Sequence, residues 1–279
     1  MPGIRGDCDV NVWNGSLADL QRLAGDQAPP PPPPPAPSAA APAPPATTRR
    51  LVSRGDGSGY TLDSHGGIHP FGGAPEVGGG PSWNWDIARD VALRPAGGGY
   101  VLDGWGALHH FGGAEIVSSG AWWKGWHIAR AVKLRDDGAS GYVLDGRGGL
   151  HSFGGADAAR GGPYWSGWDI ARDFALRADG SSGYVLDGYG GVHPFGDAPA
   201  VAGSAYWQGW DIARAVALLA DDQSGYVLDG WGGVHPFGGA PEVTISGCYP
   251  GWDVAAGLAL RPDGSGAVVD VWGRTHDFQ

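Results

Sequence analysis

From Leu51 onward, short apolar runs alternate with glycine-rich breaks, and the alternation recurs to the end of the chain. One unit shows the pattern. Ala213–Leu219 is apolar apart from Arg214, and Asp221–Gly225 interrupts it. Tyr226–Asp229 resumes the apolar run, Gly230-Trp231-Gly232-Gly233 breaks it again, and Val234–Phe237 closes the unit. Runs of this length, bounded by Gly-Gly and Asp/Ser/Gly clusters, predict β-strands joined as hairpins. Only 211–217 has helical length, and the residues at its equivalents, Val91 and Phe174, favour strand. Each unit is therefore predicted as three strands. The stretch before each Trp motif, such as 201–207, is a candidate fourth, outer strand.

The units are copies. The tyrosine of Gly-Tyr-Val-Leu-Asp stands at Tyr60, Tyr100, Tyr142, Tyr184 and Tyr226, with Ala267 sixth, at spacings of 40, 42, 42, 42 and 41. A Trp-Asp-Ile-Ala-Arg phrase recurs around Trp85, Trp126, Trp168, Trp210 and Trp252. A period of about 40 residues with three or four short strands predicts an all-β fold, a six-bladed β-propeller. Two β-trefoils of three repeats each are the alternative, but the series runs on without a break after the third copy. The middle strands are apolar on both faces, as blades packed between neighbours require. Trp168 and Trp210 are expected in that core. The last unit ends at Gln279, directly after its third strand. The ring is thus expected to close on an incomplete blade or on a strand borrowed from upstream.

Ahead of the repeat domain, 49–279, lie two other segments. Residues 28–48 form a linker whose seven consecutive prolines, Pro29–Pro35, predict a stiff polyproline II spacer. Residues 1–27 are mixed, with a short helix predicted over Ser16–Leu23.

Composition narrows the function. Gly 53 and Pro 23 would suit a low-complexity chain, but 14 Trp, 9 Tyr and 7 Phe supply a core. The net charge is −11, and no basic stripe interrupts it, which argues against a nucleic-acid partner. No apolar run reaches the length of a membrane span, and 1–10 has no signal-peptide stretch. A monomer is expected. Cys8 and Cys248 cannot make a disulfide framework or a cysteine zinc cluster. They are expected as two free thiols; their pairing would instead staple the N-terminal segment to the propeller.

Each repeat carries a histidine, His69, His109, His151, His193, His235 and His276, and an aspartate, Asp63, Asp103, Asp145, Asp187, Asp229 and Asp270. Imidazoles invite a metal reading. A structural His–Asp hydrogen bond is the stronger one, because repeats duplicate packing residues. No metal or cofactor is expected. Between the turn glycines the residue varies: His65, Trp105, Arg147, Tyr189, Trp231 and Trp272. At hairpin tips these side chains are candidates for a ligand-binding surface, since flat rings with polar edges suit sugar faces. The competing reading is packing onto the next blade. No catalytic motif stands outside the repeats.

Two resemblances follow. The unit Gly-Tyr-Val-Leu-Asp-Gly-x-Gly-Gly-x-His-Pro-Phe-Gly, nearest in 182–187 and 193–199, resembles the FGDA-type repeats of bacterial cell-surface proteins. More loosely it is similar to tachylectin-like sugar-binding propellers. This implies surface display and glycan or partner binding. Residues 2–20, Pro-Gly-Ile-Arg-Gly-Asp-Cys-Asp-Val-Asn-Val-Trp-Asn-Gly-Ser-Leu-Ala-Asp-Leu, resemble the final strand and helix of family-25 glycoside hydrolases, the muramidases. Asp9 matches an active-site acid of that family. The rest of the barrel, with the second carboxylate such hydrolysis needs, is absent. The resemblances imply a chain derived from a secreted muramidase, secreted or wall-associated. The expected function is non-catalytic recognition of cell-wall or other glycans, peptidoglycan among them. A muramidase fragment that needs its barrel, or a protein-interaction scaffold, are the alternatives.

Overall fold

The computed structural model describes residues 45–279, which fall within one compact unit. The muramidase-like segment with Cys8 and Asp9, and the proline run, lie outside the described residues.

Among the described residues eighteen strands make six antiparallel sheets of three. Blade 1 is β1 (Thr48–Ser53), β2 (Gly59–Asp63) and β3 (Ile68–Phe71). Blade 2 is β4 (Ala88–Leu93), β5 (Gly99–Asp103) and β6 (Leu108–Phe111). Blade 3 is β7 (Ala129–Leu134), β8 (Gly141–Asp145) and β9 (Leu150–Phe153). Blade 4 is β10 (Ala171–Leu176), β11 (Gly183–Asp187) and β12 (Val192–Phe195). Blade 5 is β13 (Ala213–Leu218), β14 (Gly225–Asp229) and β15 (Val234–Phe237). Blade 6 is β16 (Ala255–Leu260), β17 (Gly266–Asp270) and β18 (Thr275–Phe278). The first strand of each blade packs on the first strand of the next, and β16 packs on β1. The ring is closed, with the first strands innermost: a six-bladed propeller.

Closure needs no borrowed strand. Blade 6 has all three of its own, contrary to the expected incomplete blade, and the seam is sealed by packing and by Thr48 N donating to Val271 O at 3.0 Å. The fourth strand does not form either. Glycines at positive φ, such as Gly196 and Gly203, break the segment outside blade 4. That segment gives the neighbouring blade one bond, Gly238 N to Ala202 O at 2.9 Å. Among the described residues only Ile245, beside Phe278 in blade 6, makes an isolated bridge. Tyrosine hydroxyls hold these outer segments instead: Tyr60 donates to Pro75 O at 2.8 Å and Tyr100 to Glu115 O at 2.9 Å.

The core lies between blades. Leu144, Val185 and Phe174 illustrate it: all are fully buried, and they join blades 3 and 4 in one cluster. Every innermost strand slips register near its start, as between Ala171 and Asp173. Such a bulge turns one side chain out of the ladder. The residue turned out is arginine in five blades, Arg49, Arg89, Arg130, Arg172 and Arg214, and Ala256 in the sixth.

The central channel is not symmetric. Arg50, Asp90, Lys133 and Asp173, from four different blades, meet in it. Arg50 Nε lies 3.4 Å from Asp90, and Lys133 Nζ lies 3.2 Å from Asp173. Arg50 also reaches the carbonyls of Arg172 and Arg214. Burial opposes both cations, but Asp173 and Asp90 outweigh it and hold both pKa values above their ordinary levels.

Candidate functional site

The aspartate at the end of each middle strand builds the hairpin tip. Asp103 Oδ1 accepts from the backbone N–H of Trp105 at 2.8 Å and of Ala107 at 3.0 Å, while Oδ2 faces His109 Nε2 at 2.9 Å. The same contact joins His69 to Asp63, His151 to Asp145, His193 to Asp187, His235 to Asp229 and His276 to Asp270, between 2.7 and 3.3 Å. Burial alone would raise the Asp145 carboxyl. The hydrogen bonds from His151, Gly149 and Arg147 outweigh it and hold the group below its ordinary value. The six imidazoles thus stand on six blades, each against its own aspartate. What this arrangement does chemically is fix the tips.

Two aromatic residues flank each turn before the innermost strands of blades 2 to 6, both tryptophan except in blade 6, where Tyr249 takes the first place, and they behave differently. Trp83, Trp123, Trp165 and Trp207 are wedges. Trp123 meets His151 edge-on at 4.8 Å between ring centres, and Trp165 meets His193 at 5.1 Å. On the other side each wedge presses on a tip glycine of the preceding blade. A Cβ on Gly106, at φ +94°, would lie 2.8 Å from the Trp123 ring. The second set is exposed: Trp126 46%, Trp168 46%, Trp210 44% and Trp252 65%, with Trp85 at 37%. Contrary to the expectation from sequence, Trp168 and Trp210 are therefore not core residues; the apolar wedge position beside them is filled by Trp165 and Trp207.

The exposed set meets the tip residues. Trp85 lies 5.3 Å from Trp105, Trp168 5.6 Å from Tyr189, and Trp210 4.9 Å from Trp231, all edge-on. Arg147 places its guanidinium 4.8 Å over the Trp126 ring. Trp272 is 55% exposed and lies 6.4 Å from Tyr249. His65 is half-buried, and its carbonyl accepts from Trp83 N at 2.8 Å. The tips thus pack partly on the tryptophan of their own blade and still show a face to solvent. A third set escaped the sequence reading. Trp122 and Tyr164 are each 62% exposed and Tyr206 59%. Each immediately precedes a wedge whose N–H donates to a tip carbonyl, as Trp165 N does to Arg147 O at 2.8 Å. The signal was available: this position reads Ser82, Trp122, Tyr164, Tyr206, Cys248, as variable as the tips. Cys248 is exposed, and among the described residues it has no cysteine partner.

All these rings occupy the rim where the innermost strands begin. Inside that rim the outturned arginines surround a depression of about 300 Å³. They clasp blade to blade. Arg130 forks onto Asp169, Arg172 onto Asp211 and Arg214 onto Asp253, each carboxylate belonging to the next blade. Arg49 reaches Asp86 likewise. The girdle changes at two joints: between blades 2 and 3 His127 replaces the aspartate and its Nδ1 faces Arg89 Nη2 at 3.1 Å, and between blades 6 and 1 Ala256 stands in place of the arginine.

The sequence matches no family model, and no curated protein matches it. Among solved structures the fold is similar to the extracellular domain of the hybrid two component system BT3049 from B. thetaiotaomicron, with a TM-score of 0.49 and 12% identity over 80% of this chain. The chain spans 32% of that protein chain. Among the described residues no helix is long and apolar enough to cross a membrane.

Proposed function

We propose that the propeller is a binding module, not a catalyst, and that its aromatic rim takes a glycan of the bacterial cell wall or surface. One observation carries the reading. Nine aromatic side chains, Trp85, Trp122, Trp126, Tyr164, Trp168, Tyr206, Trp210, Trp252 and Trp272, are exposed, all on the same rim, while an equally regular set of tryptophans is half-buried against the blades. Exposed rings cost solubility unless they have a partner. Rings with a polar edge, held edge-on to each other, offer flat apolar faces to the C–H faces of sugars. The hairpin aspartates and histidines supply rigidity, so the platform is ordered before any ligand arrives. That lowers the entropic cost of binding.

The resemblance of the repeats to bacterial surface propellers, and of 2–20 to a muramidase tail, supports a wall polymer as the glycan. It also supports a secreted or wall-associated setting. The test is co-sedimentation of the full chain with insoluble purified peptidoglycan, with turbidity of the same suspension followed in parallel. Retention without clearing is the expected result. No retention on peptidoglycan or on a panel of surface polysaccharides would overturn the glycan reading. Clearing would return the chain to the enzymes.

A further inference from the structure

Blade 3 departs from the other stations on the rim, always in the same electrostatic direction. After the wedge, the residue is Asn84, Ser166, Gln208 or Pro250 in blades 2, 4, 5 and 6, but Lys124 in blade 3. The Trp motif carries Asp86, Asp169, Asp211 or Asp253 elsewhere, but His127 here. The tip is Trp105, Tyr189, Trp231 or Trp272 elsewhere, but Arg147 here. At these three places the other four stations each sum to one negative charge. Blade 3 sums to two positive charges with His127 neutral, on a chain whose net charge is −11.

The geometry keeps those cations available. Lys124 and Trp126 share one turn, closed by Trp126 N donating to Trp123 O at 2.9 Å. Arg147 lies over the Trp126 ring, and Lys124 Nζ lies 5.9 Å from the Trp122 ring centre. Among the described residues no carboxylate comes within ion-pair distance of either. The girdle arginines nearby, Arg130 and Arg172, are by contrast saturated by carboxylates. A guanidinium stacked on an indole keeps its N–H edge free, and that edge matches the fork of a carboxylate.

We infer that the blade 3 station recognises an acidic sugar, its carboxylate held by Arg147 and Lys124 while Trp126, Trp122 and Tyr164 contact the ring. The inference rests on the glycan reading of the rim and gives it a ligand class: a carboxylate-bearing polysaccharide.

The experiment compares the full chain on immobilised polygalacturonate and on the neutral galactan made from it by carboxyl reduction. The variant is Lys124→Ser with Arg147→Tyr, which gives blade 3 the residues of blade 4. Tyr189 already packs on Trp168 in that arrangement, so the fold is expected to hold, and a thermal melt checks it. The wild-type chain is expected to prefer the acidic polymer by about tenfold, the worth of one charge-assisted hydrogen-bonded contact. The variant is expected to lose the preference and keep its binding to the neutral galactan. Equal wild-type binding to both polymers, or a preference that survives in the variant, would overturn the inference and leave the glycan reading standing. Binding to neither polymer, with none to peptidoglycan, would overturn the glycan reading itself. A glycerol-phosphate polymer run alongside separates the sources of negative charge. Variant-sensitive binding to it alone would replace the carboxylate by a phosphodiester.

Discussion

Trp165 and Trp168 stand three residues apart in one turn, and the structure predicts opposite consequences for losing them. Trp165 packs on a cluster that includes Tyr142, Leu144, Phe174 and Phe195, all essentially inaccessible to solvent. It is wedged between His193 and the Gly148 tip, where an added Cβ would lie 2.9 Å from its ring. Trp165→Ala removes the contact between blades 3 and 4 on that side. Removing a buried tryptophan costs about 3–5 kcal/mol, and the half-buried edge of Trp165 places it near the lower end, about 3 kcal/mol. Trp168 is 46% exposed and meets only the tip Tyr189 edge-on. One aromatic contact and half the transfer term amount to about 1 kcal/mol. For a domain of this size each kcal/mol shifts the melting temperature by roughly 2–4 °C. Trp165→Ala should therefore melt about 6–12 °C lower and Trp168→Ala about 2–4 °C lower, followed by circular dichroism in the same buffer. The reasoning fails if Trp168→Ala is the more destabilised of the two, because the wedge and exposed positions would then be reversed.

Three further outcomes are expected. Trp105→Ala with Trp231→Ala should weaken glycan binding by about thirtyfold, at about 1 kcal/mol per ring, and lower the melting temperature by only a few degrees; a collapse in stability at unchanged affinity would make the tips packing alone. His127→Asp should complete the girdle at Arg89 and raise the melting temperature by about 2–4 °C, since a partly exposed forked pair is worth up to about 1 kcal/mol; an unchanged melt would show that the imidazole already serves as well. Acid should weaken the turns between first and second strands. Burial opposes ionisation of Asp179, but the Ser182 and Ser181 hydrogen bonds lower its pKa from 3.8 to about 2. The hydrogen bonds of Ser140 and Ser224 lower Asp137 and Asp221 as well. A depressed carboxylate pKa contributes stability above its unfolded value, and that contribution is lost as pH falls through the folded one. The urea midpoint should thus drop between about pH 4 and 2, and Asp179→Asn should flatten that drop; a slope unaltered in the variant would refute the assignment.

The repeat was legible because the same packing problem is solved six times, so strand, turn and period all recur with it. The strands of blade 5 lie within a residue or so of where the apolar runs put them. The outer strand was not legible, because one branched apolar residue, Val201, between Ala200 and Ala202 and ahead of Gly203, does not say whether backbone bonds will follow. The two tryptophans of each turn were confused because both are large and regularly spaced. What separates them is the tip glycine of another blade, a contact the spacing does not contain. The hairpin aspartate and histidine were visible as candidates because they recur at a fixed separation of six residues. The charges in the channel and Lys124 of blade 3 were invisible for the opposite reason: they break the repeat, and their neighbours are set by ring closure.

The channel charges give the sharpest test of that closure. Arg50, Asp90, Lys133 and Asp173 come from blades 1 to 4; Asp90 and Asp173 stand at the same strand position of blades 2 and 4, and both face Arg50 and Lys133. Equivalent places hold Ala131 and Ala215, or Ala92 and Ala175. The carboxylates are nearly inaccessible, at 3% side-chain exposure. They also accept from the next blade: Val132 N donates to Asp90 at 2.8 Å and Val216 N to Asp173 at 3.2 Å. Nearly buried Arg50 and half-buried Lys133 balance two buried anions, and neither pair does without the other. Asp173→Ala leaves Arg50 and Lys133 sharing a single carboxylate in low dielectric. Breaking a buried pair in this way costs about 3–5 kcal/mol. Replacing all four by alanine removes every charge together, and the freed Val132 and Val216 amides face a channel that can admit water, as polar groups in a roomy cavity allow. Concerted removal of a buried ion cluster is often close to neutral. The fourfold alanine variant should therefore unfold in urea at a higher midpoint than Asp173→Ala alone. A fourfold variant weaker than the single one would mean that the cluster contributes net stability, and that the ring is held shut by its charges rather than by the apolar packing between its blades.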